Sequence, residues 1–81
     1  MGKYVTINME NGYYIYKLEQ LLQDRNISKN KLMRDTNTDF KVLQRLVTGE
    51  IVRIDTNVLA RLCDYFNCGI LDIIEYVPNK K

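Results

Sequence analysis

The sequence predicts an all-α fold of five short helices, preceded by one short strand. Three observations carry the prediction. Apolar residues recur at three- and four-residue spacings in successive stretches, a serine, threonine or aspartate stands before most of them, and an asparagine or glycine follows them. The 81 residues make one domain, near the small end of what buries a core without disulfide or metal staples.

The strand comes first. Val5, Ile7 and Met9 alternate with Tyr4, Thr6 and Asn8, a two-residue period rich in β-branched and aromatic side chains. Asn11 and Gly12 follow, the strongest short turn signal in the chain. Residues 13–16 (YYIY) fit either a second hairpin arm or a helix entry, and the reading taken is a turn followed by a helix from near Tyr14. That helix carries Ile15, Leu18, Leu21 and Leu22 on one stripe and closes at Arg25 and Asn26. Ser28 caps a second helix with Leu32 and Met33 inward, which stops at Asp35, Thr36 and Asn37. Asp39 or Thr38 caps a third, with Leu43, Leu46 and Val47 inward and Gly49 as terminator. Asp55 or Thr56 opens a fourth, whose inner stripe is Val58, Leu59, Leu62, Cys63 and Phe66. Residues 67–69 (NCG) break it, and Ile70 to Ile74 form a short fifth helix. Val77 precedes Pro78 and is pushed towards extended backbone, so the tail is suited to pairing with the N-terminal strand and covering its edge. The expected organisation is a strand and turn over 1–13, a helical domain over 14–78 and a tail over 79–81.

Composition narrows the function. There is no histidine to act as acid, base or ligand, and two cysteines, Cys63 and Cys68, cannot complete a four-ligand zinc site. Cys63 falls on an inward stripe, which favours a buried or half-buried thiol. A disulfide would have to bridge a helix end to the next turn, in a chain without the cysteine density of a secreted mini-domain. No membrane span, signal peptide or lipidation signal is visible, so the expected compartment is the cytoplasm, with no membrane partner. Nothing resembles a nucleophile elbow, a phosphate-cradling glycine loop or a carboxylate pair in a cleft, so no enzyme, cofactor, metal or small-molecule ligand is expected. The formal charge of +2 is modest, but its distribution is not even. From Arg25 to Arg53 there are seven basic and three acidic residues, net +4, against five basic and seven acidic elsewhere. A phosphate-binding footprint would look like this, although charge alone favours an ordinary solvated face.

The stretch ISKNKLMRDTNTDFKVLQRLVTG, from Ile27 to Gly49, resembles the helix-turn-helix of phage Cro and repressor proteins, the Xre-type family. Its continuation from Asp55 to Glu75 is similar to the family's cap and apolar helix, and the ending Asp72 to Pro78 to that of small stand-alone bacterial regulators. The resemblance implies a lambda-repressor-like five-helix domain with its motif at 28–49. Ser28 stands at the family's cap, Leu32 at the central apolar residue of the first motif helix, Leu43 and Leu46 at the anchors of the recognition helix, and Gly49 at its terminator. Met33 stands where the family prefers alanine, Asn37 where it prefers a turn glycine, and Val47 where it often has glutamate.

What the resemblance implies is sequence-specific binding of double-stranded DNA by a transcriptional regulator, expected to be a repressor. Phe40, Lys41, Gln44 and Arg45 would face the major groove, Arg45 towards guanine and Gln44 as donor and acceptor towards adenine. Phe40 would meet a thymine methyl or else fold back on the first helix or the turn. Lys29 would reach backbone or a flanking base, and Ser28, Lys31, Thr48 and Arg53 are phosphate candidates. One such domain reads too few base pairs to act alone, so a homodimer is expected, with Ile70, Ile73, Ile74, Tyr76 and Val77 as its interface. The alternative is a protein-interaction or antitoxin-like module that keeps the fold without reading DNA.

Overall fold

The computed structural model describes residues 4–51 and 53–79. The chain runs β1 (Val5–Asn8), β2 (Gly12–Tyr16), α1 (Leu18–Arg25), α2 (Lys29–Thr36), α3 (Phe40–Thr48), α4 (Thr56–Phe66), a single 3-10 turn (Ile70–Asp72) and β3 (Ile74–Pro78). The all-α, five-helix expectation is therefore corrected. Among the described residues the fold holds four α-helices and a three-stranded antiparallel sheet in the order β1-β2-β3.

The first correction lies at residues 12–17. Tyr13 to Tyr16 form the middle strand of the sheet, Val5 opposing Tyr16 on one side and Ile74 opposing Tyr16 on the other. Helix α1 starts at Leu18, with Lys17 as its N-cap and no side-chain cap bond, so the start carries no capping signal. The backbone N–H of Lys17 donates to the Ile73 carbonyl at 2.8 Å, and its ammonium pairs with Glu75 at 2.7 Å. Both contacts fasten the strand end to the C-terminal segment.

The second correction lies at the C-terminus. Ile70–Asp72 makes one 3-10 turn, closed by the Ile73 N–H on the Ile70 carbonyl at 2.9 Å. A fifth helix cannot run on, because the ladder with β2 begins at Ile74 and Ile73 enters the core at 1% exposure. The tail does form a strand, but it lies on β2 rather than on the N-terminal strand, and β1 remains an edge. Gly12 is the first residue of β2 rather than a left-handed turn residue, and a side chain there would collide with the Val77 carbonyl and the Tyr76 ring.

The helices follow their capping residues closely. Ser28, Asp39 and Asp55 accept backbone N–H bonds at the starts of α2, α3 and α4. Asn26, Asn37, Asn67 and Gly49 close the four helices in the left-handed conformation, which asparagine tolerates better than other non-glycine residues. Leu18, Leu22, Leu32, Leu43, Leu46, Leu62, Phe66 and Ile73 make the buried centre, joined by Tyr16 from the sheet. Cys63 and Cys68 are free and half-buried, and burial raises the Cys68 thiol pKa first, with Cys63 beside it adding to the shift. No helix among the described residues is long and apolar enough to cross a membrane.

Candidate nucleic-acid interface

The α2–α3 unit is held from inside and from below. Leu32, Leu43 and Leu46 are at most 1% exposed, so the two helices share one dry seam. The turn between them is fixed by polar contacts as well. The Thr36 hydroxyl donates to the Leu32 carbonyl at 2.6 Å and lies 2.8 Å from the Thr38 hydroxyl, and both threonines are buried. Asn37 turns the chain at φ 53° with its N–H returning to the end of α2. This buried threonine pair has no signature in the sequence. Thr36 reads as a weak helix former in the sequence, and only its burial shows that its hydroxyl back-bonds the last turn.

Burial on one side of α3 sets what faces outward on the other. Leu43, Leu46 and Val47 are buried, while Phe40, Lys41 and Arg45 are exposed and Gln44 and Thr48 half-buried. These five residues fall at three- and four-residue spacings, the neighbour relation on a helix surface. Phe40 is 38% exposed directly beside the Asp39 cap, an aromatic ring left partly in solvent at the helix start. Asp39 itself accepts the Lys41 backbone N–H at 3.2 Å.

Helix α2 contributes its N-terminus to the same surface. The Ser28 hydroxyl oxygen accepts the Lys31 N–H at 3.1 Å and Ser28 is exposed. Lys29 crosses from α2 to α3 and donates from its ammonium to Gln44 Oε1 at 3.0 Å. Lys29, Lys41, Gln44 and Arg45 thus belong to one joined pair of helices.

Other predicted residues sit differently. Lys31 pairs with Asp35 at 2.9 Å along the exposed side of α2, and the Tyr65 hydroxyl from α4 donates to the same carboxylate at 2.6 Å. The Tyr65 hydroxyl bond, then Lys31, holds the Asp35 pKa below its ordinary value. Lys31 is correspondingly raised, chiefly by its bond to Asp35. Part of its charge is therefore spent inside the protein. Tyr65 and Asp35 as an α2–α4 link were not read from the sequence, where Asp35 has a sufficient explanation as a helix end. The Thr48 hydroxyl donates back to the Arg45 carbonyl at 3.4 Å. Arg53 is exposed in the loop before α4. Arg25 lies with its guanidinium 5.7 Å from the centre of the Phe66 ring.

The residues expected at a dimer interface divide. Ile70 is 50% and Tyr76 40% exposed, and Ile74 and Val77 are half-buried. Ile73 is a core residue and has no surface to offer, which corrects its place among them. Leu71 is more exposed than any of these.

The chain is similar to known helix-turn-helix proteins over most of its length. The family described as the Cro/C1-type HTH DNA-binding domain matches residues 17–79. A crystal structure of the transcriptional regulator VanUg superposes with a TM-score of 0.67 at 27% identity, covering 90% of this chain and 96% of that one. Among curated proteins no significant match is found.

Proposed function

The chain belongs to the Cro/C1-type HTH DNA-binding domain family, and from that premise we propose that it is a transcriptional regulator that binds double-stranded DNA in a sequence-specific way. The observation that carries the reading is the α3 surface. Lys41 and Arg45 project from a helix whose opposite side is locked into the core, with no acidic residue along α3 itself. Side chains there can enter a major groove, Arg45 with two parallel donors for guanine O6 and N7. In this reading Phe40 meets a thymine methyl, and Ser28 and Lys29 at the N-terminus of α2 meet the flanking backbone. Thr48 and Arg53 extend the set of phosphate contacts.

Two copies would read the two halves of a site, with recognition helices about 34 Å apart. Exposed Ile70, Leu71 and Tyr76, backed by Ile74 and Val77, supply the self-complementary surface for such a dimer. Occupancy of a promoter by such a dimer would block access of the transcription machinery, the basis for reading it as a repressor.

The test is duplex binding by fluorescence anisotropy across a salt series. The wild type is expected to lose affinity with a log–log slope of about −0.9 for each phosphate neutralised. The double variant Lys41→Ala, Arg45→Ala is expected to bind weakly while keeping its helical circular dichroism. Unchanged binding by that variant would remove α3 from the interface.

A further inference from the structure

The two free edges of the sheet are not alike. The Met9 N–H donates to the Gly12 carbonyl at 2.7 Å, so these residues face each other as a hydrogen-bonded pair. In the same register Ile7 with Tyr14 and Val5 with Tyr16 are bonded pairs too. Bonded and unbonded pairs alternate along an antiparallel ladder, which turns the N–H and C=O of Thr6 and Asn8 away from β2, along the free edge. On the other side of β2, the Lys17 N–H on the Ile73 carbonyl and the Asn79 N–H on the Asn11 carbonyl fix the opposite phase. Glu75 and Val77 therefore bond to β2, and Ile74, Tyr76 and Pro78 face the outer edge. That edge is guarded, since Pro78 has no N–H to offer and Glu75 puts a charge on the strand. Strand β1, VTIN, carries neither a charge nor a proline.

Strand β1 also complements itself. Val5 and Ile7 pack against the core and Met9 lines the cleft beside Ile7, while Thr6 and Asn8 point to the other face. A strand added to this edge has to match both the outward-bonding residues and the faces, because a slip of one residue inverts the faces. A two-fold axis through Ile7 satisfies both conditions. Thr6 of each copy then meets Asn8 of the other as a bonded pair. On the core side Val5 of each copy covers Met9 of the other, which is 45% exposed in the single chain. Ile70 lines the same cleft as Ile7 and Met9, so this pairing is continuous with the apolar surface assigned to the dimer above. Resting on that dimer reading, we propose that β1 is the docking edge for a second copy of this chain, laid antiparallel so that the two sheets become one.

The experiment is amide hydrogen exchange on the full chain, followed by NMR at concentrations below and above the association seen in sedimentation velocity. In the monomer the Thr6 and Asn8 amides should exchange fast, while that of Ile7, bonded to Tyr14, is protected. Both should slow roughly tenfold once about nine in ten molecules are paired. Thr6→Pro deletes a donor that β2 does not use, and should keep its helical circular dichroism while weakening association roughly tenfold. Thr6→Val, which keeps the backbone donor, should associate as the wild type does. A dimer whose Thr6 and Asn8 amides still exchange fast would overturn the inference and leave the dimer to another surface. So would a folded Thr6→Pro variant that associates at full strength. A wild type that stays monomeric at high micromolar concentration, with or without DNA, would instead overturn the dimer reading, and the inference with it.

Discussion

The helix-turn-helix half and the sheet half of this molecule settle their polar and apolar groups in opposite ways. In α2 and α3 the apolar side chains Leu32, Leu43 and Leu46 are inside, the turn hydroxyls of Thr36 and Thr38 bond each other, and the cations stand outside. In the sheet half apolar groups remain on the surface. Met9, Ile70, Leu71 and Tyr76 are exposed, and a cleft of about 680 Å³ between the sheet and the α3–α4 loop is lined by Ile7, Tyr14, Ile51, Ile54 and Ile74. The contrast matches the two tasks proposed above. A rigid frame with outward charge suits recognition of a polyanion, and leftover apolar surface suits association with a protein.

Substitutions can break each half of that contrast. The largest effect is expected from Leu43→Ala, at the fully buried seam, which should cost about 2–5 kcal/mol in denaturant unfolding. A cost below about 1 kcal/mol would mean that the seam does not fasten the two helices. Arg45→Ala on the opposite face should leave stability within about 0.5 kcal/mol and instead cost about 1–3 kcal/mol in binding to a selected duplex. Thr38→Val tests the turn. It leaves Thr36 its bond to the Leu32 carbonyl but removes the partner hydroxyl, so a loss of about 1–2 kcal/mol in thermal unfolding is expected.

On the sheet side, Ile70→Lys with Leu71→Lys should leave the monomer folded and abolish self-association in sedimentation velocity. A wild type that stays monomeric at high micromolar concentration, with or without DNA, would refute the dimer itself. The smallest expected effect is a pH dependence. The pKa of Asp35 is depressed by Tyr65 and Lys31, so its contribution is present above the ordinary carboxylate range and disappears as pH falls through the depressed folded value. Asp35→Asn should therefore flatten part of the acid limb of the stability curve. Identical acid limbs would show that the α2–α4 link adds nothing in solution.

The sequence discloses the two halves unequally, and for physical reasons. Caps are local, so Ser28, Asp39 and Asp55 mark three helix starts, and Asn26, Asn37, Gly49 and Asn67 mark four ends. The apolar seam is legible because its period is that of the helix it belongs to. Helix α1 has no capping side chain, and Ile15, Leu18 and Leu22 share helical spacing across a strand–helix junction, which draws the expected helix back to Tyr14. Strand β2 exists because β1 and β3 flank it, a condition set by residues near both ends of the chain. The same long range decides Ile73, whose position in the core follows from β3 and not from its neighbours. At the candidate interface, exposure of Phe40, Lys41 and Arg45 follows from the α3 stripe. The Lys29–Gln44 bond and the Asp35–Tyr65 bond join separate helices and carry no local pattern.

The central claim, that the outward side of α3 meets DNA, is tested most directly by titrating a mixed-sequence duplex at low salt into isotope-labelled protein and following backbone amide signals. Resonances of Lys29 and of Phe40 to Thr48 should shift or broaden first, while those of Val5 to Asn8 stay in place. Shifts concentrated in β1 and around Ile70 and Leu71, with Lys41 and Arg45 unmoved, would contradict the account.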